Sequence, residues 1–147
     1  MPLRSVLAAL VLLVLTTVAM AQYYADPDAA LSEYIEAYKS RDVSRFIAAI
    51  DFAYEAKEKL GKRAGQSQEV TESEVQTIAD ELQNELRAHF VKFGFKAATL
   101  DNCKAVTRFK DSDTLVRIVL SCSDSRGSSV FPVRVVQFQN GWRVVRG

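Results

Sequence analysis

From Asp26 to Phe93 the apolar residues recur every three or four positions, and beyond Gly94 they tend to alternate with polar ones. This change of period predicts helices first and strands second. Asp26-Pro27-Asp28 opens the first helix, with Asp26 as cap, Pro27 in the first turn and acidic charge at the positive end of the helix dipole. Leu31, Tyr34, Ile35 and Tyr38 form its stripe. Ser40-Arg41-Asp42 breaks the pattern, and a second helix is expected from Asp42, burying Phe46, Ile47 and Ile50 and running on to Leu60 before Gly61 stops it. Lys62 to Val70 is polar with little periodicity and reads as an exposed loop. Thr71 and Glu74 make a T-x-x-E capping box. Val75, Ile78, Leu82, Leu86 and Phe90 then mark one continuous face of a third helix that ends before Gly94.

Downstream lie four strand candidates, roughly 95–110, 114–123, 129–139 and 142–146. A two-residue turn at Ser112-Asp113 folds the first pair so that Cys103 faces Cys122, Ala105 faces Leu120, Thr107 faces Ile118 and Phe109 faces Val116. Opposed cysteines on neighbouring strands lie within disulfide reach, and such a bond persists in an oxidising compartment. Lys104, Arg108 and Arg117 then share the opposite face. Asn140-Gly141 is the clearest turn, expected to pair Gln139 with Trp142, Phe138 with Arg143 and Val136 with Val145. Val136, Phe138 and Val145 fall on one side of these strands and Phe131, Val133, Val135, Trp142 and Val144 on the other, so the sheet needs cover on both faces. Helices cover one. A homodimer through the sheet, or a ligand-filled hollow, accounts for the remainder.

The N-terminus supports the compartment. Met1 to Arg4 carries one positive charge, Ser5 to Met20 is mostly apolar, and Ala19-Met20-Ala21 offers small residues at both key positions. Residues 1–21 therefore read as a cleaved signal peptide, and 22–147 as one domain in the periplasm, or secreted. The apolar run falls short of the roughly 20 residues that span a bilayer, so no stable membrane anchor is expected. Across the whole chain 19 basic residues meet 18 acidic ones, a balance that predicts no nucleic-acid affinity. Residues 22–94 carry a net charge of −5 and residues 95–147 one of +5, which predicts an acidic helical layer against a basic sheet.

Catalytic and metal motifs are sparse. His89 is the one histidine, placed on a helix four residues after Glu85, where a solvated pair is the simple reading. Two cysteines without further ligands at zinc spacing leave no metal site and no cofactor to expect.

The segment A-A-L-S-E-Y-I-E-A-Y-K-S-R-D from Ala29 to Asp42, followed by Phe46, resembles the first two helices of nuclear transport factor 2-like domains. The ending Asn140-Gly141-Trp142-Arg143-Val144-Val145 is similar to their last hairpin. The resemblance implies an α+β fold in which three N-terminal helices pack on a curved four-stranded antiparallel sheet, often around a pocket. Members commonly place a short strand pair between the second and third helices, whereas Phe52 to Val70 here reads as helix and then loop. The resemblance implies a pocket with Tyr34, Tyr38, Phe46, Asp51, Tyr54 and Trp142 as candidate lining residues. One implied function is non-catalytic: the domain holds a small apolar or amphipathic molecule, or meets an envelope protein. The other follows the ketosteroid isomerase branch, with Asp51 as base and Tyr34, Tyr38 or Tyr54 as the supporting hydroxyl.

Overall fold

The computed structural model describes residues 22–64, 69–95 and 102–146. The expected signal peptide and the polar segment around residue 66 lie outside them. Among the described residues four helices, α1 (Pro27–Lys39), α2 (Val43–Ala48), α3 (Phe52–Ala64) and α4 (Glu72–Phe93), precede four strands, β1 (Cys103–Ser112), β2 (Leu115–Asp124), β3 (Gly127–Phe138) and β4 (Gly141–Val145). The strands form one antiparallel sheet in the order β1-β2-β3-β4. This is the α+β order that the hydrophobic period and the family resemblance predict.

The helix starts follow the sequence closely, because each rests on a local hydrogen bond. Asp26 accepts the Ala29 N–H at 2.8 Å and Asp42 accepts that of Arg45 at 3.0 Å. Thr71 and Glu74 close their capping box reciprocally, at 3.2 and 2.9 Å. Gly94, with φ of 66°, follows the last turn of α4.

The second helix differs from expectation: it is two helices. Ile50 and Asp51 leave helical geometry to run beside β4, where Asp51 N–H donates to Val144 O at 2.9 Å and Val144 N–H donates to Ala49 O at 3.3 Å. Asp51 then restarts the helix, accepting the Tyr54 N–H at 2.8 Å. Gly61 lies inside α3 and does not stop it. An isolated helical glycine costs only about 1 kcal/mol, which the surrounding turns absorb.

Ile118, Leu120, Val133, Val135 and Val144 line the sheet face that meets Leu31, Tyr38, Phe46, Ile47, Val75 and Ala79 of the helices. Val136, Phe138, Arg143 and Val145 alternate onto the other face, and Tyr54 and Glu58 of α3 reach round to Phe138 and Arg134 there. Both faces at the β3–β4 end are therefore covered within one chain.

The β1–β2 register agrees with the sequence at Cys103–Cys122, joined as a disulfide, and at Ala105–Leu120. It then slips by one. A bulge at Val106 pairs Thr107 with Val119, Arg108 with Ile118 and Phe109 with Arg117, and a second irregularity moves the turn to Asp113-Thr114. One extra residue sends every later side chain to the opposite face. Arg108 thus turns to the helices and bonds Asp28, while Phe109 turns outward beneath Arg117, whose guanidinium carbon lies 4.9 Å from the ring centroid. The last hairpin slips by two: Gln137 pairs with Trp142, Val136 with Arg143 and Arg134 with Val145, with Gln139-Asn140 in the turn. Gly141 is then the first residue of β4. Its φ is 134°, and a Cβ there would lie 2.5 Å from Tyr24 O, since Tyr24 and Trp142 exchange backbone hydrogen bonds at 3.0 and 2.8 Å.

Arg143 ties these parts together. Its Nη1 donates to Asp51 Oδ2 at 3.0 Å, its Nη2 donates to Ala48 O and Ile50 O at 2.8 and 2.5 Å, and the Tyr23 ring covers its guanidinium at 5.3 Å. Both side chains are less than a tenth exposed.

Two outcomes follow for stability. Asp51→Asn keeps an acceptor for the Tyr54 N–H and removes only the charge, so it is expected to cost about 3–5 kcal/mol in urea unfolding by stranding buried Arg143. Combining it with Arg143→Met should recover a large part of that loss. Gly141→Ala is expected to cost about 1–3 kcal/mol and to change Trp142 fluorescence as the Tyr24 pairing is displaced.

Candidate functional site

Glu55, Glu58, Lys59 and Lys62 of α3 are spaced i, i+3, i+4 and i+7, which places them on one helical face. That face forms one wall of a cleft of about 570 Å³ completed by Leu82 of α4, Arg134 of β3 and Arg146 after β4. Its volume lies within the range of small-molecule sites.

The two carboxylates are already committed. Arg134 holds Glu58 in a fork, Nη1 to Oε1 at 2.6 Å and Nη2 to Oε2 at 2.8 Å, and Nη2 also donates to Arg146 O at 2.9 Å. Arg146 holds Glu55 with its backbone N–H at 2.7 Å, Nε at 3.1 Å and Nη2 at 2.9 Å. Aromatic rings back both guanidiniums, Tyr54 at 6.0 Å from Arg134 and Phe52 at 5.1 Å from Arg146. The hydrogen bonds from Arg134 hold the Glu58 carboxyl below its usual range, against the opposing effect of its partial burial. Arg134 Nε is buried without a hydrogen-bond partner. Four cations and two anions line the cleft, so Lys59 and Lys62 supply its uncompensated charge, beside the apolar Leu82.

The six residues singled out from the sequence are distributed over four environments. Tyr34, Tyr38 and Phe46 pack ring to ring, with Phe46 4.7 Å from Tyr34 and 5.5 Å from Tyr38, and Phe90 and Phe95 join them. Burial pushes the Tyr34 hydroxyl up to about 12. Asp51 lines a separate polar cleft of about 260 Å³ with Gln76, Asp80, Gln83 and Arg143, and both its oxygens are engaged, by the Tyr54 N–H and by Arg143. Tyr54 stands edge-on to Phe138, 6.0 Å away, and Trp142 is half-buried at the N-terminal bridge to Tyr24. His89 is exposed and lies against Phe93.

The α3 face escaped the sequence reading. The 55, 58, 59, 62 spacing was available as a signal, but its meaning depends on where Arg134 and Arg146 come to lie, and those are 76 and 91 residues from their carboxylates. Among the described residues no group of three metal-ligating side chains converges, and no helix is long and apolar enough to cross a membrane.

No family model and no curated protein matches the sequence. Among solved structures the chain is similar to one from Campylobacter jejuni, provisionally described as an NTF2-like transpeptidase, with 10% identity and a TM-score of 0.47 over 83% of this chain and 100% of that one.

Proposed function

We propose that this chain is an exported, non-catalytic binding domain whose cleft between α3, α4 and the sheet takes a small amphipathic anion. The supporting observation is the division of labour in the cleft. Its arginines are locked to Glu55 and Glu58, whereas Lys59 and Lys62 remain beside apolar Leu82 to meet a ligand's charge. The Cys103–Cys122 disulfide supports export, with residues 1–21 as leader and the periplasm or the exterior as the place of action. An isomerase using Asp51 as base is the weaker reading, because Arg143 and the Tyr54 N–H already occupy both carboxylate oxygens.

A second copy seated on the outer sheet face is part of the same proposal. At the end of that face away from the disulfide, Phe109 is 45% exposed and the neighbouring Arg117 is already paired with Asp111 at 3.1 Å, which leaves an apolar ring to be covered.

Octanesulfonate, whose charge does not vary with pH, is the probe for the cleft. Isothermal titration should show one site, with Lys59→Gln and Lys62→Gln each weakening it about threefold and the pair about tenfold. No binding, or binding indifferent to both lysines, sinks the assignment. The pH dependence has a definite sign. Glu58 has a folded-state value below its unfolded one, so the Arg134 pair stabilises the fold above the unfolded value and that gain is lost as pH falls through the depressed one. Protonating Glu58 also frees Arg134, so octanesulfonate should bind more tightly once the pH has fallen through the depressed Glu58 value than at neutrality. For the sheet face, sedimentation velocity is expected to show a dimer that Phe109→Asp converts to monomer; a monomeric parent chain refutes that part.

A further inference from the structure

Disulfide geometry fixes what stands on the far side of the sheet from the sulfurs. Cys122 is buried in the core and Cys103 packs against it, so both half-cystines face the helices. By alternation their immediate neighbours, Asn102 and Lys104 on one side and Ser121 and Ser123 on the other, face outward. Lys104 is opposite Ser121, Ser123 is opposite Ser128, and Ser123 N–H donates to Asn102 O at 3.1 Å. These five side chains line a hollow of about 360 Å³. None of them makes a side-chain hydrogen bond or ion pair within the described residues. Among the described residues the hollow is lined by one cation and no carboxylate. Asp124, in the adjoining hairpin, is taken by Arg126, whose backbone N–H donates to it at 2.8 Å. Beside the polar group, opposite Ser121, stands exposed Val130.

We infer that this hollow is a second binding site, for an acidic saccharide. Three hydroxyls and an amide each donate and accept, which suits vicinal sugar hydroxyls, and Lys104 supplies the counter-charge for a carboxylate. Val130 offers an apolar rim for a sugar's C–H face. The disulfide contributes preorganisation, because four of the five polar residues are the direct neighbours of its two cysteines. The site is independent of the α3 cleft: Ser128 and Arg134 are six residues apart on β3, about 20 Å at strand spacing.

The test titrates 15N-labelled protein, with its disulfide intact, against trigalacturonate, cellotriose and inorganic phosphate. Trigalacturonate is expected to shift the amides of residues 102–104, 121–123 and 128, with cellotriose weaker by about tenfold for want of the charge. Lys104→Gln should erase that difference, leaving the two sugars equal, and Ser123→Ala should weaken both. Reduction of the disulfide is expected to weaken trigalacturonate binding further, and Lys104→Gln supplies the reading that survives if the reduced chain unfolds. Phosphate shifting the same amides as strongly as trigalacturonate identifies a plain oxyanion site and overturns the saccharide assignment. An absence of shifts with trigalacturonate overturns the site itself.

Discussion

Arg143 is a cation in a place where charge is costly, and the course of the chain around it follows from making that tolerable. A guanidinium removed from water needs an anion and acceptors within hydrogen-bond reach. Asp51 supplies the anion, and Ala48 O and Ile50 O supply the acceptors. Those carbonyls are available because the helix that starts at Asp42 stops short and the backbone turns to lie along β4. Breaking the helix and neutralising the arginine are one event. The Tyr23 ring then covers the guanidinium, so the N-terminal segment becomes part of the same joint.

From that joint the direction of α3 is set. Asp51 caps it at one oxygen while the other holds Arg143, so the helix begins at a fixed point on the β4 edge. Phe52 and Ala56 then enter the core, and Tyr54, Glu55 and Glu58 reach the ends of β3 and β4. The cleft is what remains between this helix face, Leu82 and the two arginines. A shift of one residue in the helix restart would rotate that face by about 100° and dissolve both carboxylate forks.

What the sequence made legible divides by range. Asp26, Asp42 and Thr71 were readable because each cap needs only a residue three positions away, and the stripe of α4 was readable because its period belongs to one element. Asp51 could also be read as a cap, but the reason to interrupt a continuing apolar pattern there is Arg143, 92 residues on. The cysteine register was legible at Cys103–Cys122, since two thiols on facing strands state their own alignment. Past Val106 the alternation fails to announce the bulge, because Thr107, Arg108 and Phe109 are all exposed and no buried face penalises a slip. The pocket assignment leaned on Tyr34, Tyr38 and Phe46 for a different reason. A run of rings on helices states that they will be buried together and leaves open whether they enclose space; here they close on one another.

The proposed binding role of the cleft rests on how its charges are committed. Acid and base catalysis needs a group whose proton is free to move at working pH, whereas Glu55 and Glu58 are each gripped by an arginine, and the bonds from Arg134 hold Glu58 toward its charged form. A carboxylate so held orients its arginine and does little else. The rigid parts of the cleft therefore act as a frame, and the groups with freedom to meet a ligand are the two lysines, each a compact charge on a flexible stem. On the proposed reading such a frame would select by charge and by the apolar wall at Leu82, admitting an amphipathic anion over a purely hydrophilic one.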